Sequence, residues 1–358
     1  MLSELVRVLV PATASFVVGI AITPLVLHYL HTYKAWKKRP GKIALDGNAA
    51  SEFNRIHQVT ETCAPRMGGI VIWASVLITI IGIAIVAHWI PGVRDLRFSF
   101  LSRSQTWIPL ATLLVGAVVG FIDDFLVIRP NGTGIRLSVR LLIVFILSAI
   151  IGWWFHFKLG VTAVNIPFGV PLQIGWLIIP LFILTSLALY ASGVIDGIDG
   201  LSGGVFGSIF ASYAIIAFVQ NQTDLAAFCA AIVGGLLAFL WNNIPPARFY
   251  MSDTGTMALT LTVAVVAFMT DSLGGGVGIF VLPIIGALLV ATVASDIAQV
   301  ISKRWFGRKL LRIAPLHHHF EAIGWPGSKV VMRYWVISIV FAFAGVIIAL
   351  AAIPGISL

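Results

Sequence analysis

The strongest constraint on this chain is a succession of apolar runs, each about as long as a bilayer is thick. A helix crossing the hydrocarbon core needs about 20 mostly apolar residues. Runs of that kind lie near residues 8–30, 68–90, 106–122, 139–156, 172–192, 203–219, 225–242, 257–272, 277–301 and 331–353. In lipid, backbone polar groups must find partners within the segment, so such runs form helices. Composition agrees: 59% of the 358 residues are hydrophobic and 10% are charged, where soluble domains carry about 25% charged residues. The expected fold is an all-α integral membrane protein of about ten transmembrane helices, forming one domain over residues 1–358. The first run, Val8 to Leu30, is too long for the core of a secretion signal and reads as the first span.

Ten spans place both termini on one side and leave the odd-numbered loops together on the other. Of the 23 Lys and Arg residues, 18 fall in or beside those odd loops. Basic loops stay in the cytoplasm, so the termini are expected in the periplasm. The net charge of +9 is then a record of topology and of anionic lipid, and gives no support for nucleic-acid binding. The two cysteines, Cys63 in a loop and Cys229 in an apolar run, suggest neither a disulfide nor a metal cluster.

The polar motifs sort to the same face. Gly120-Phe121-Ile122-Asp123-Asp124 ends the third run. Adjacent helical residues do not face each other, so Asp123 and Asp124 are expected to have different roles. One would bind or deprotonate a phosphate, and the other would hold a cation or orient a neighbour. The bland alternative is a solvated helix end paired with Arg129 or Arg136.

Asp196 and Asp199 lie in the fifth loop within Ser192-Gly193-Val194-Ile195-Asp196-Gly197-Ile198-Asp199-Gly200, where no basic residue is present to pair them. Glycines allow close backbone approach to a ligand. The loop suits a polar ligand or hydrated Mg²⁺, or else a re-entrant turn with capping aspartates. The seventh loop runs from Asn243 through Arg248, Tyr250 and Asp253 to Thr254 and Thr256. Asp253 is either a helix cap or a Mg²⁺ ligand, since Mg²⁺ takes few carboxylates and keeps waters and phosphates. Tyr250 offers a ring to stack on a base.

His317, His318 and His319 are consecutive in the ninth loop. They cannot all face one point in a regular helix, which argues against a chelating triad. Contact with phosphate or proton transfer suits imidazole better. Arg66, in Pro65-Arg66-Met67-Gly68-Gly69, is either a phosphate contact or a positive-side anchor.

Taken in order, these motifs resemble the polyprenyl-phosphate N-acetylhexosamine-1-phosphate transferase superfamily over nearly the whole chain. The segment from Pro315 to Trp335, PLHHHFEAIGWPGSKVVMRYW, is similar to its phospho-N-acetylmuramoyl-pentapeptide transferase branch. The resemblance implies transfer of phospho-MurNAc-pentapeptide from UDP to undecaprenyl phosphate, giving lipid I and UMP with Mg²⁺. It implies a bacterial inner-membrane enzyme with a cytoplasmic cleft open sideways to the bilayer. It makes Asp123 the base or the lipid-phosphate residue with Asp124 beside it, and puts Mg²⁺ on Asp253. Asp196, Asp199, Asn243 and Tyr250 would line the nucleoside and sugar site, and the three histidines would contact diphosphate or sugar. Expected partners are both substrates and the lipid bilayer, with a second copy of the chain as a further candidate.

This sequence departs from that branch at several positions. Its usual Lys-Thr-Pro-Thr before Met-Gly-Gly is Cys63-Ala64-Pro65-Arg66 here, Gly193 stands where Asn is expected, and Arg140 replaces a third-loop lysine. A lysine usual just after Asp-Asp is missing. Arg66 and Gly193 keep open a UDP-HexNAc:polyprenyl-phosphate transferase. Acids and glycines among many spans also fit a secondary transporter.

Overall fold

The computed structural model describes residues 2–38, 64–89, 100–102, 105–130 and 132–353. Cys63 lies outside the described residues. The described residues are mostly helical. The long helices are α1 (Leu2–Thr32), α2 (Ile70–Trp89), α3 (Trp107–Val127), α4 (Leu137–Phe157) and α5 (Ile178–Ala191). They continue with α6 (Leu201–Val219), α7 (Thr223–Asn243) and α8 (Ser252–Phe268). Then come α9 (Gly278–Ile285), α10 (Ala287–Phe306), the short α11 (Leu316–Ala322) and α12 (Gly327–Ala351).

Among the described residues, nine helices are long and apolar enough to cross a membrane, or ten if α9 and α10 count as one bent span. The expected ninth span, 277–301, is therefore not one straight rod. Its two halves meet at 68°. Pro283 removes a helix hydrogen bond and Gly286 terminates α9, and these are the usual causes of a sharp bend. A two-residue antiparallel pair, β1 (Ala163–Val164) with β2 (Leu172–Gln173), adds a small cap between α4 and α5.

Burial divides the bundle into an inner and an outer set. The apolar windows of α8 and α7 are 89% and 78% buried, against 17% for α4, which identifies α7 and α8 as the centre. α8 suits that place because it is rich in Ala, Val and Thr. Two of its hydroxyls are satisfied within the helix: Thr260 donates to the Thr256 carbonyl at 2.8 Å and Thr262 to that of Ala258 at 2.7 Å. Outer helices present apolar side chains such as Val17, Phe145, Val336 and Phe343 outward. No water-driven reason exists to bury these in lipid.

The two ends of the bundle are built differently. One is knit by short polar contacts. Asp224 and Leu225 amides donate to the Gln105 side chain at 3.1 and 3.3 Å, and Arg7 pairs with Asp224 at 3.3 Å. At that same end Asn165 bonds to Asp271 and Gly276. The other end gathers the polar motifs.

Candidate active site

Close helix packing creates the site. Gly116 and Gly120 lie one turn apart on α3. A methyl on Gly120 would collide with the Asp253 carbonyl, and one on Gly116 would sit 2.9 Å from the Ala258 Cα. A methyl on Gly69 would likewise strike the backbone of Gly255. Small residues four apart let helix backbones touch. That contact carries Asp123 and Asp124, at the end of α3, directly beside Asp253 at the start of α8.

The two adjacent aspartates have different partners. Asp124 is fully buried. Its Oδ1 takes Arg66 Nε at 3.0 Å and Nη2 at 2.9 Å. Its Oδ2 accepts from the Thr254 amide at 2.9 Å and the Thr254 hydroxyl at 2.6 Å. A carboxylate has about four lone-pair sites, so Asp124 is saturated. Asp123 is also buried. It accepts from the Ile135 amide at 2.6 Å and from Arg140 Nη1 at 3.2 Å.

Asp253 has the loosest ion pairs of the three, to Arg140 at 3.4 Å and Arg66 at 3.8 Å. Its side chain is 26% exposed, as is that of Arg66, and that of Arg140 is 25% exposed. The outer face of the cluster is thus two guanidinium groups and one carboxylate, with Asp123 and Asp124 behind. Burial works against the Arg66 charge. The carboxylates of Asp124 and Asp253, the bond to Asp124 and the more distant Asp196 outweigh it and raise its pKa above the ordinary value.

The fifth and seventh loops are fastened to each other. Asp196 accepts from the Ser202 hydroxyl and from the Ser252 amide, both at 2.7 Å. Burial pushes the Asp196 carboxyl above its ordinary pKa, opposed by these bonds and by Arg66. Asp199 accepts from the Ala247 amide at 3.0 Å. Asn243 is buried and uses both ends of its amide: Oδ1 accepts from Gly200 N–H at 2.9 Å, and Nδ2 donates to the Phe249 carbonyl at 2.9 Å. Tyr250 is held by backbone bonds to Pro65 at 2.8 Å and Gly68 at 2.7 Å, which tie this loop to the Arg66 segment.

The histidines divide as helical geometry requires. His317 and His318 are buried on α11, with ring centroids 4.3 Å apart. A methyl on Gly197 would meet His317 Nε2 at 2.7 Å and His318 Nε2 at 2.5 Å, so both rings close on the Asp196–Asp199 loop. His318 Nδ1 lies 2.8 Å from Glu321 Oε2. His319 turns elsewhere, and its Nδ1 accepts from the Arg312 amide at 3.2 Å.

The structure therefore brings Arg66, Asp123, Asp124, Arg140 and Asp253 into one cluster. It joins Asp196 to that cluster through Ser252 and sets His317 and His318 over the neighbouring loop. His319 stands apart. Thr254 emerges as the partner of Asp124. Ser252 was not singled out. Its φ of 57° is left-handed, an uncommon position for serine. The glycines at 116 and 120 were a readable signal for helix contact beside Asp-Asp.

Among the described residues no group of three or more His, Cys, Asp or Glu forms a ready-made metal cage. Mg²⁺ asks for less: one or two carboxylates, with water and substrate phosphate completing the shell. Asp253 offers a partly exposed carboxylate with long ion pairs, which suits that donor set.

These features define a class: a helical, multi-pass membrane protein with an acidic and guanidinium cluster at one end of its spans. Residues 106–271 match the family model described as Glycosyl transferase family 4. Similarity to curated proteins extends over nearly the full length. The Phospho-N-acetylmuramoyl-pentapeptide-transferase of Geobacillus sp. (strain WCH70) is 32% identical over 93% of this chain and 95% of its own. Those of Bacillus mycoides (strain KBAB4) and Bacillus thuringiensis (strain Al Hakam) are 31% identical over 95% of this chain and 97% of theirs. The chain belongs to the phospho-N-acetylmuramoyl-pentapeptide-transferase family.

Proposed function

We propose that this protein transfers phospho-MurNAc-pentapeptide from UDP-MurNAc-pentapeptide to undecaprenyl phosphate, forming lipid I and UMP in peptidoglycan synthesis. The observation that carries the reading is the Arg66–Asp124–Asp253–Arg140–Asp123 cluster at one end of the helices. The loop charge bias assigns that end to the cytoplasm and both termini to the periplasm of a bacterial inner membrane.

In the reaction an oxygen of the lipid phosphate attacks the sugar-bearing phosphorus of the diphosphate. The bond between that phosphorus and the bridging oxygen breaks, and UMP leaves with the oxygen. Both reactants are anions, so the main obstacle is charge repulsion. Arg66 and Arg140, outermost in the cluster, hold the phosphate oxygens and offset the charge on the leaving group. As Arg140 turns to phosphate, Asp123 behind it is uncovered to accept a proton from the lipid phosphate. Asp253 would hold Mg²⁺, which would supply neutralisation of the diphosphate charge. Asp196, Asp199, Asn243 and Tyr250 shape the nucleoside and sugar wall. His317 and His318 close on the Gly197 loop from the opposite side, and His319 supports their segment from outside.

The test is UMP release by purified protein given undecaprenyl phosphate, Mg²⁺ and either UDP-MurNAc-pentapeptide or UDP-GlcNAc. Release with the muramoyl donor, lost in Asp253→Asn, is expected. Release with UDP-GlcNAc alone would move the assignment to a HexNAc-1-phosphate transferase. That second reading is favoured by Gly193, which leaves only Thr256 at 3.4 Å from where a side chain would begin.

A further inference from the structure

A groove opens where the C-terminal ends of α1 and α7 meet. Its cavity of about 430 Å³ is lined by His28, His31, Trp241, Asn242 and Arg248. Among the described residues, none of the reacting cluster lines it, and no acidic side chain does. Arg248 is aimed by a neighbour: its Nη1 donates to Oδ1 of the buried Asn242 at 3.1 Å. His28 and His31 are three residues apart on one helix face, so both rings reach the same opening. Leu27 and Pro24 supply an apolar wall.

The surroundings place this groove at a membrane boundary. Tyr29, Tyr33 and Trp241 are exposed around it, and aromatic residues gather at that level of a bilayer. Lys34, Lys37 and Lys38 follow α1 directly. A guanidinium fork matches phosphate oxygens, two imidazoles add donors, and the apolar wall continues towards the bilayer core.

We propose that this groove binds the phosphate of an anionic glycerophospholipid, with an acyl chain along Pro24 and Leu27. The site is separate from the one that handles the reacting lipid, and it does not depend on the transferase reading. Charge complementarity selects an anionic headgroup over a zwitterionic one.

The test is native mass spectrometry of the full chain in detergent supplemented with phosphatidylglycerol, phosphatidylcholine or inorganic phosphate. One phosphatidylglycerol retained in preference to phosphatidylcholine is expected. In Arg248→Gln/His31→Gln its retention should weaken about tenfold, equivalent to about 1.4 kcal/mol. Arg248→Lys should recover part of it, since a single ammonium keeps the charge but not the fork. The double variant should keep the wild-type unfolding temperature in phosphatidylcholine micelles. Equal retention by the double variant, or equal retention of phosphatidylcholine, overturns the proposal. So does loss of phosphatidylglycerol to inorganic phosphate at matched concentration, which would identify a free-phosphate site.

Discussion

Asp124→Asn separates a positioning role from a chemical one. Every described contact of Asp124 comes from a donor: Arg66 Nε and Nη2 on one oxygen, and the Thr254 amide and hydroxyl on the other. Asparagine keeps one acceptor and turns the other into a donor. If its oxygen faces Arg66, its NH₂ meets the Thr254 amide, and only the hydroxyl can rotate to accept. If its NH₂ faces Arg66, the guanidinium loses its neutralising partner. Breaking a buried ion pair costs about 3–5 kcal/mol. Arg66 keeps Asp253 within 3.8 Å, so a loss near the lower limit, about 3 kcal/mol, is expected. The freed guanidinium then leans on Asp253 and, under the proposed function, competes with Mg²⁺ there. Two measurements follow: unfolding in detergent, and UMP release as a function of Mg²⁺. The variant should be destabilised and should need more Mg²⁺, with partial activity restored at high metal. Wild-type stability with activity abolished at every Mg²⁺ concentration would refute this and make Asp124 a group that acts on substrate. A cycle with Arg66→Met should show coupling well beyond the roughly 0.5 kcal/mol seen for independent sites.

Gly120→Ala should cost about 1–3 kcal/mol, because the new methyl meets the Asp253 carbonyl and α3 must move away from α8. Its unfolding temperature and UMP release should fall together. Ser252→Gly should raise stability by about 1 kcal/mol, since a left-handed φ of 57° is strained for serine and open to glycine. A lower unfolding temperature would show that the serine hydroxyl holds the turn. His318→Ala should reduce UMP release far more than His319→Ala, because only the first ring faces Gly197. Equal losses would contradict that division.

Most of the architecture was legible in the sequence because lipid leaves a chain few choices. An apolar run of the right length must be a helix, and the expected and observed spans agree closely at α2, α6 and α7. The break at Gly286 was harder to see, since Pro283 and one glycine sit within an otherwise continuous run. The β1–β2 pair gave no warning, being only two residues per strand. The clustered carboxylates were legible by their cost: a carboxylate near the membrane needs a reason. Their partners were not visible, because Arg66 and Asp124 are 58 positions apart and meet only through helix packing. For the same reason nothing in the sequence showed that the Asn243 amide joins two loops.

That junction has a mechanical consequence. The amides of Gly200, Ala247 and Ser252 donate to side chains on the opposite loop: Asn243, Asp199 and Asp196. The two loops are thus sewn together like a hem, and neither can lift without tearing bonds in the other. Their amide hydrogens should exchange with solvent as one cooperative unit, slower than the His319–Arg312 contact outside it. The joined loops form a fixed template, and under the proposed function a donor would be accommodated by what moves around it.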